Sequence, residues 1–242
     1  MLQLNNLCSR YPEQELCFTL SAGAGEITAL IGPSGAGKST LLAMVGGFTS
    51  IDSGQLLYDD RELLSLTPAQ RPITTLFQDN NLFWHMTVYQ NIAIGLSPSL
   101  RLTPAQKATV QQVAEQVGIE ALLNRKPSSL SGGQQQRVGL ARCLARRQPV
   151  LLLDEPFSAL DPALRFELLE LLRSQTDQLK LTVLLVTHHP DEAARIADNI
   201  AFVHNGRILE QGKRELLSAP HTKELKAYLG RGSSELAPHI LI

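Results

Sequence analysis

The nine residues Gly32-Pro33-Ser34-Gly35-Ala36-Gly37-Lys38-Ser39-Thr40, GPSGAGKST, decide how this 242-residue chain folds. They begin where an apolar run, ITALI (27–31), ends, and they give way to an apolar helical start, TLLAMV (40–45). A strand, a glycine loop and a helix in that order, with Gly-x-x-x-x-Gly-Lys-Ser inside the loop, form the pattern of a phosphate-binding loop. Gly35 and Gly37 allow backbone N–H groups to turn inward on phosphate oxygens, and the helix behind them adds its positive end. Gly32, Pro33, Ser34, Ala36 and Thr40 complete the cradle. Lys38 reaches β- and γ-phosphates as a point charge, and the Ser39 hydroxyl suits a magnesium ion.

Two further runs, VLLLDE (150–155) and LTVLLVTH (181–188), share the character of ITALI: short, continuously apolar, and ending in residues with chemistry to offer. Continuous apolar runs of this length are expected of strands buried on both faces, and open α/β sheets bind ligands at the carboxyl ends of such strands. Asp154 is suited to hold magnesium through water. Glu155 faces differently because strand side chains alternate, so it can act on an attacking water. His188 ends its run where an imidazole can hydrogen-bond a γ-phosphate. Gln78, in TLFQDNNLF (75–83), offers an amide oxygen to the magnesium or to the water.

Around these runs the pattern predicts an α/β core with additions. Segments at Leu2 to Leu7 and Leu16 to Leu20, with SGQLLYDDREL from Ser53, have the form of short antiparallel strands joined by turns. Between about residues 87 and 148 the character turns helical. TPAQKATVQQVAEQVGIEALL (103–123) opens with Thr103 as N-cap and Pro104 at the first helical position. Another helix follows Asp161 as N-cap, with Leu164, Leu168, Leu171 and Leu172 on one face. LSGGQ (130–134) opens SGGQQQRVGLARCLARR, a helix whose positive end, with Ser131 and the N–H groups of Gly132 and Gly133, can meet a phosphate. The same pentapeptide, read alone, is a helix cap followed by a glycine turn.

Composition narrows the functional classes. Lys+Arg 22 against Asp+Glu 23 leaves a formal net charge of -1, so no overall basic field favours nucleic acid. Three cysteines, Cys8, Cys17 and Cys143, show no C-x-x-C spacing and no zinc-like histidine set, and are expected to be buried or idle thiols in a reducing compartment. The start lacks a basic and apolar leader, and no run approaches the roughly 18 apolar residues of a membrane helix. A cytoplasmic protein that meets a membrane only through a partner is the expectation.

In order and spacing, these motifs resemble the ATP-binding cassette, the ATPase subunit of ABC transporters. GPSGAGKST resembles its Walker A, Gln78 its Q-loop, LSGGQQQRV its signature, LLLDEP (151–156) its Walker B, SALD (158–161) its D-loop and Thr187-His188 its switch histidine. The resemblance covers about residues 1–212, with a short helical tail from 213 to 242. It implies a P-loop NTPase (RecA-like) α/β core with an N-terminal antiparallel β subdomain and an inserted α-helical subdomain at about 87–148. It also implies ATP and Mg2+ as cofactors. Glu155, His188 and Gln78 are then the catalytic residues, and Ser39, Gln78 and Asp154 those around the metal. Tyr11 stacks on adenine, and Ser131, Gly132, Gly133 and Gln134 close over a partner's ATP in a head-to-tail homodimer.

The same resemblance implies a transmembrane permease as second partner, a solute-binding receptor reached only indirectly, no nucleic acid, and a peripheral place on the cytoplasmic face of the bacterial inner membrane. DNNLFWHMTVYQNI (79–92) is then the grip on the permease, unless Phe83, Trp84 and Met86 are ordinary core. FQDNNLF, DEPFSALDPALR and the short tail most resemble ATPase subunits of thiamine importers, with iron, molybdate and polyamine importers next. A soluble ABC protein of translation or DNA repair would carry tandem cassettes or coiled-coil insertions, which this sequence lacks. A P-loop kinase leaves LSGGQ and His188 unexplained.

Overall fold

Residues 1–10, 14–78, 81–158 and 160–232 are described by the computed structural model. Its elements begin with β1 (Leu2–Arg10), β2 (Glu15–Ala22), β3 (Ile27–Ile31) and the helix α1 (Lys38–Gly46), then β4 (Ser53–Tyr58), β5 (Arg61–Glu62) and β6 (Ile73–Leu76). Three helices follow, α2 (Val88–Ala93), α3 (Pro104–Gln116) and α4 (Gly132–Ala145). The chain returns through β7 (Val150–Asp154), α5 (Pro162–Leu179), β8 (Thr182–Val186), α6 (Pro190–Ile196), β9 (Asn199–His204), β10 (Arg207–Lys213) and α7 (Lys223–Gly232).

The strands form two sheets. A four-stranded sheet in the order β2-β1-β4-β5 is antiparallel, and a six-stranded sheet runs β10-β9-β3-β8-β7-β6. In the larger sheet β6, β7, β8, β3 and β9 are parallel, and only β10 runs against its neighbour. The continuous apolar runs explain the parallel core. In β7, Leu151 and Leu153 enter one hydrophobic cluster while Val150 and Leu152 enter the other; in β8, Val183 and Leu185 divide from Leu184 and Val186 in the same way. Both faces of each strand are therefore buried, as expected where helices and a second sheet cover a parallel sheet. One cluster packs the sheet against α2 to α6, and the other packs it against α1 and the four-stranded sheet.

Helix ends follow local chemistry. Thr103 caps α3 with Pro104 behind it, and Asp161 accepts the Leu164 N–H at the start of α5. Thr87 and Ser131 close reciprocal capping boxes with Gln90 and Gln134. One expectation is corrected: Cys8 and Cys17 are joined in a disulfide, and only Cys143 is a free, buried cysteine. The antiparallel register of β1 and β2 sets Cys8 directly opposite Cys17, a juxtaposition that linear spacing does not reveal.

Candidate functional site

The first glycine of GPSGAGKST is dictated by the fold around it. Gly32 lies at the exit of β3 with φ +147°, and a Cβ there would fall 2.0 Å from the carbonyl oxygen of Val203 in β9. The loop can leave the sheet only without a side chain at this point. It then turns so that Ala36 N–H meets the Pro33 carbonyl, and Gly206 N–H is accepted by the Ala36 carbonyl. Lys38, the first residue of α1, is 5% exposed, and its Nζ donates to the carbonyls of Gly32 at 2.8 Å and Pro33 at 2.9 Å. Burial lowers its pKa, opposed by the nearby Glu155 and Asp154 charges.

The ends of β7 and β8 bring the acids and the histidine to this loop. Ser39 Oγ donates to Asp154 Oδ1 at 3.0 Å, which sets two hard oxygen ligands side by side. Burial raises the Asp154 pKa, the Ser39 hydrogen bond opposes that rise, and Glu155 adds to it. Glu155 adopts φ +46°, an uncommon left-handed conformation for a residue with a side chain, which turns it out of the strand direction. Its Oε1 lies 2.5 Å from His188 Nε2. Ser34, Gly35, Gly37, Lys38, Ser39, Thr40, Glu155 and His188 thus line one open pocket, joined by Gln14 and Leu16.

Other predicted positions lie elsewhere. Ala36 is buried beneath the loop. Gln78 is exposed just past β6 and is not among the residues lining the pocket. Ser131, Gly132, Gly133 and Gln134 form the N-terminus of α4 and do not line it either. Ser131 Oγ accepts the Gln134 N–H, and its own hydroxyl hydrogen remains to donate outward. Tyr11 lies outside the described residues. Phe83 and Trp84 are exposed, Trp84 by 58%, so neither is core, while Met86 is half-buried. With Phe48, Phe77 and Arg142, Phe83 borders a groove of about 590 Å³.

Sequence reasoning missed Gln14 and Leu16, whose short polar and apolar identities carry no signal of their own. It also missed Arg165 and Glu192, which lie behind His188: Thr187 Oγ1 donates to Glu192 Oε2 at 2.5 Å, and Arg165 Nε is 3.5 Å from Glu192 Oε1.

Magnesium fits this donor set. Among the described residues no group of three or more His, Cys, Asp or Glu side chains is gathered to cage a metal alone. A serine hydroxyl beside one carboxylate instead suits an ion that takes its remaining ligands from phosphate and water.

Comparison with known proteins agrees with this geometry. The family model described as "ABC transporter" matches residues 17–158. The thiamine import ATP-binding protein of Photorhabdus laumondii is 52% identical over 219 residues, covering 90% of this chain and 93% of that protein. Its namesake in Photobacterium profundum is 48% identical over 240 residues, covering 95% and 100%. Among solved structures, the ADP conformation of an ATP-binding cassette of an ABC transporter superposes with a TM-score of 0.84 at 25% identity, over 95% of this chain and 98% of that one. A dimeric bacterial ABC transporter cassette gives 0.79 at 29% identity, over 88% and 99%.

Proposed function

This chain belongs to the ABC transporter family, as the family model and its relatives show, and from that premise we propose that it is the ATP-hydrolysing subunit of a thiamine importer. The observation that carries the catalytic part is the convergence of Lys38, Ser39, Glu155 and His188 on one pocket, with Glu155 and His188 in contact. The thiamine part rests on relatives near 50% identity that bear that name.

In this reading the backbone N–H groups of the 32–40 loop and Lys38 bind the triphosphate, and Ser39 with Asp154 holds magnesium. The ion, when bound, neutralises charge on the β- and γ-phosphate oxygens. Glu155 orients the attacking water and takes up its proton, while His188, which meets the Glu155 carboxylate in the nucleotide-free pocket, would turn its N–H to the γ-phosphate once ATP is bound. Gln78, which does not line the pocket of the single chain, would offer its amide oxygen to the metal or to the water. Ser131, Gly132, Gly133 and Gln134 act on the ATP of a second copy in a head-to-tail homodimer. Gly132 supports this: a Cβ there would meet nothing within 4 Å, so packing inside the chain gives no reason for a bare backbone.

Residues 1–212 then form the cassette, its helical part at about 87–148, and 213–242 a tail. No described helix is long and apolar enough to cross a membrane. The protein is held at the cytoplasmic face of the membrane by a permease whose coupling segment enters the groove beside Phe48, Phe77 and Phe83, and the solute receptor acts only through that permease.

Glu155→Gln tests the catalytic reading: hydrolysis falls at least about 100-fold, and ATP with magnesium drives the variant to a dimer in light scattering. A Glu155→Gln chain that stays monomeric and hydrolyses normally would refute it. For the solute, the ATPase reconstituted with its permease is stimulated by receptor loaded with thiamine and not with iron, molybdate or polyamine.

A further inference from the structure

Glu192, in the first turn of α6, is 5% exposed, and a carboxyl group that deep requires partners. It has two. Thr187 donates its hydroxyl to Oε2 at 2.5 Å, and Arg165 Nε stands 3.5 Å from Oε1 as an ion pair without hydrogen-bond geometry, both atoms being buried with no other hydrogen-bond partner. Thr187 directly precedes His188, and its hydroxyl oxygen also accepts the His189 N–H at 3.0 Å. Glu192 thus holds the Thr187 side chain, which in turn holds the backbone N–H on the far side of His188.

Arg165 connects this anchor to another loop. Its Nη2 donates to the Leu160 carbonyl at 3.0 Å, at the end of the segment 158–161 that leads into α5. The start of that segment is fastened to Glu155, whose carbonyl accepts the Ser158 hydroxyl at 3.1 Å. With His188 Nε2 on Glu155 Oε1, Glu155 holds both Ser158 and His188, and Arg165 ties Leu160 through Glu192 and Thr187 to the same histidine turn. One guanidinium, with donors in a rigid fork, joins the two loops that present the acid and the histidine.

We propose that Arg165 and Glu192 are positioning residues for ATP hydrolysis, acting through the Thr187–His189 turn to hold His188 against Glu155. They touch no nucleotide. The inference deepens the catalytic reading above and rests on it. A buried ion pair is weak grounds for a gain in stability, so the pair's function lies in geometry. A small displacement of a catalytic group lowers turnover while leaving substrate binding to other residues.

The test uses the full chain with Arg165→Met, Arg165→Lys and Glu192→Gln, measuring kcat, KM for ATP and Tm. Arg165→Met and Glu192→Gln lower kcat roughly ten-fold, with KM changed by less than about two-fold, because misplacement affects the transition state rather than binding. Arg165→Lys recovers part of kcat, since an ammonium can meet Glu192 but not Leu160 as well. In a His188→Ala background, Arg165→Met slows the residual single-turnover rate no further, because its effect runs through the missing imidazole. An undiminished kcat, a KM that rises with the loss of Tm, or full additivity with His188→Ala would overturn the inference. If Arg165→Met fails to fold, Glu192→Gln, which keeps the shape and the Thr187 contact, carries the same readings. Failure of the catalytic reading looks different: His188→Ala and Glu155→Gln would then leave hydrolysis intact.

Discussion

A methyl group on Gly32 would collide with the Val203 carbonyl at 2.0 Å, whereas one on Gly35 or Gly132 would meet nothing within 4 Å. These three glycines therefore answer to different constraints. Gly32→Ala is expected to cost at least about 3 kcal/mol in urea denaturation, because backbone and not a flexible side chain must give way. Gly35→Ala, at φ +75°, should cost only about 1–2 kcal/mol, the strain of a left-handed alanine. Gly132→Ala, in an ordinary helical first turn, should leave stability equal or higher by about 0.5 kcal/mol, yet lower ATP hydrolysis if a partner's nucleotide needs that bare surface. Cysteine chemistry is equally local. Burial pushes the Cys143 thiol up to about 11, so at pH 8 it stays protonated, and a disulfide-exchange reagent should leave it unlabelled in the native state. Without reductant, denaturation should expose one thiol per chain; three would contradict the Cys8–Cys17 link.

At the scale of the element, α4 shows why a motif can be structural and functional at once. Ser131 is its N-cap and forms a capping box with Gln134, the plain reading of the pentapeptide, while its hydroxyl hydrogen stays free to donate. Substitution separates the two roles. Ser131→Ala loses the cap and should cost about 1 kcal/mol, whereas Ser131→Asp keeps a side-chain acceptor at the helix start and should stay within a few tenths of wild type. Only the aspartate puts a negative charge where a γ-phosphate is expected, so Ser131→Asp should retain Tm and lose hydrolysis; a fully active Ser131→Asp chain would remove α4 from the nucleotide site. Caps such as Thr103 and Asp161 were legible because a single residue and its neighbours define them. The strands β3, β7 and β8 were legible as continuous apolar runs buried on both faces, whereas β9 and β10, which complete the same sheet, were not read from the sequence. The left-handed Glu155, the Cys8–Cys17 register and the Arg165–Glu192 pair were not, since each is set by elements that only the fold brings together.

For the whole molecule, the pocket is complete on one side only: the 32–40 loop, Glu155 and His188 line it, and Ser131 to Gln134 of the same chain do not. Both glycine motifs stand in one sequence, and of the two only the 32–40 loop lines the pocket of the single chain. In the proposed head-to-tail dimer each ATP meets one loop from each chain, and twofold symmetry makes the two shared sites equivalent. Mixing two inactive variants tests this arrangement. Lys38→Ala disables the phosphate loop, and Ser131→Arg disables the facing helix start, so each homodimer lacks both sites. A heterodimer puts both lesions in one site and leaves the other intact. Random pairing makes half of the dimers mixed, so hydrolysis should return to about a quarter of the wild-type rate if the two sites turn over independently. Size-exclusion with differently tagged chains confirms that mixed dimers form. Full wild-type activity in a preparation shown to contain mixed dimers would mean that the sites are not shared in this way, because at most one composite site per mixed dimer is intact.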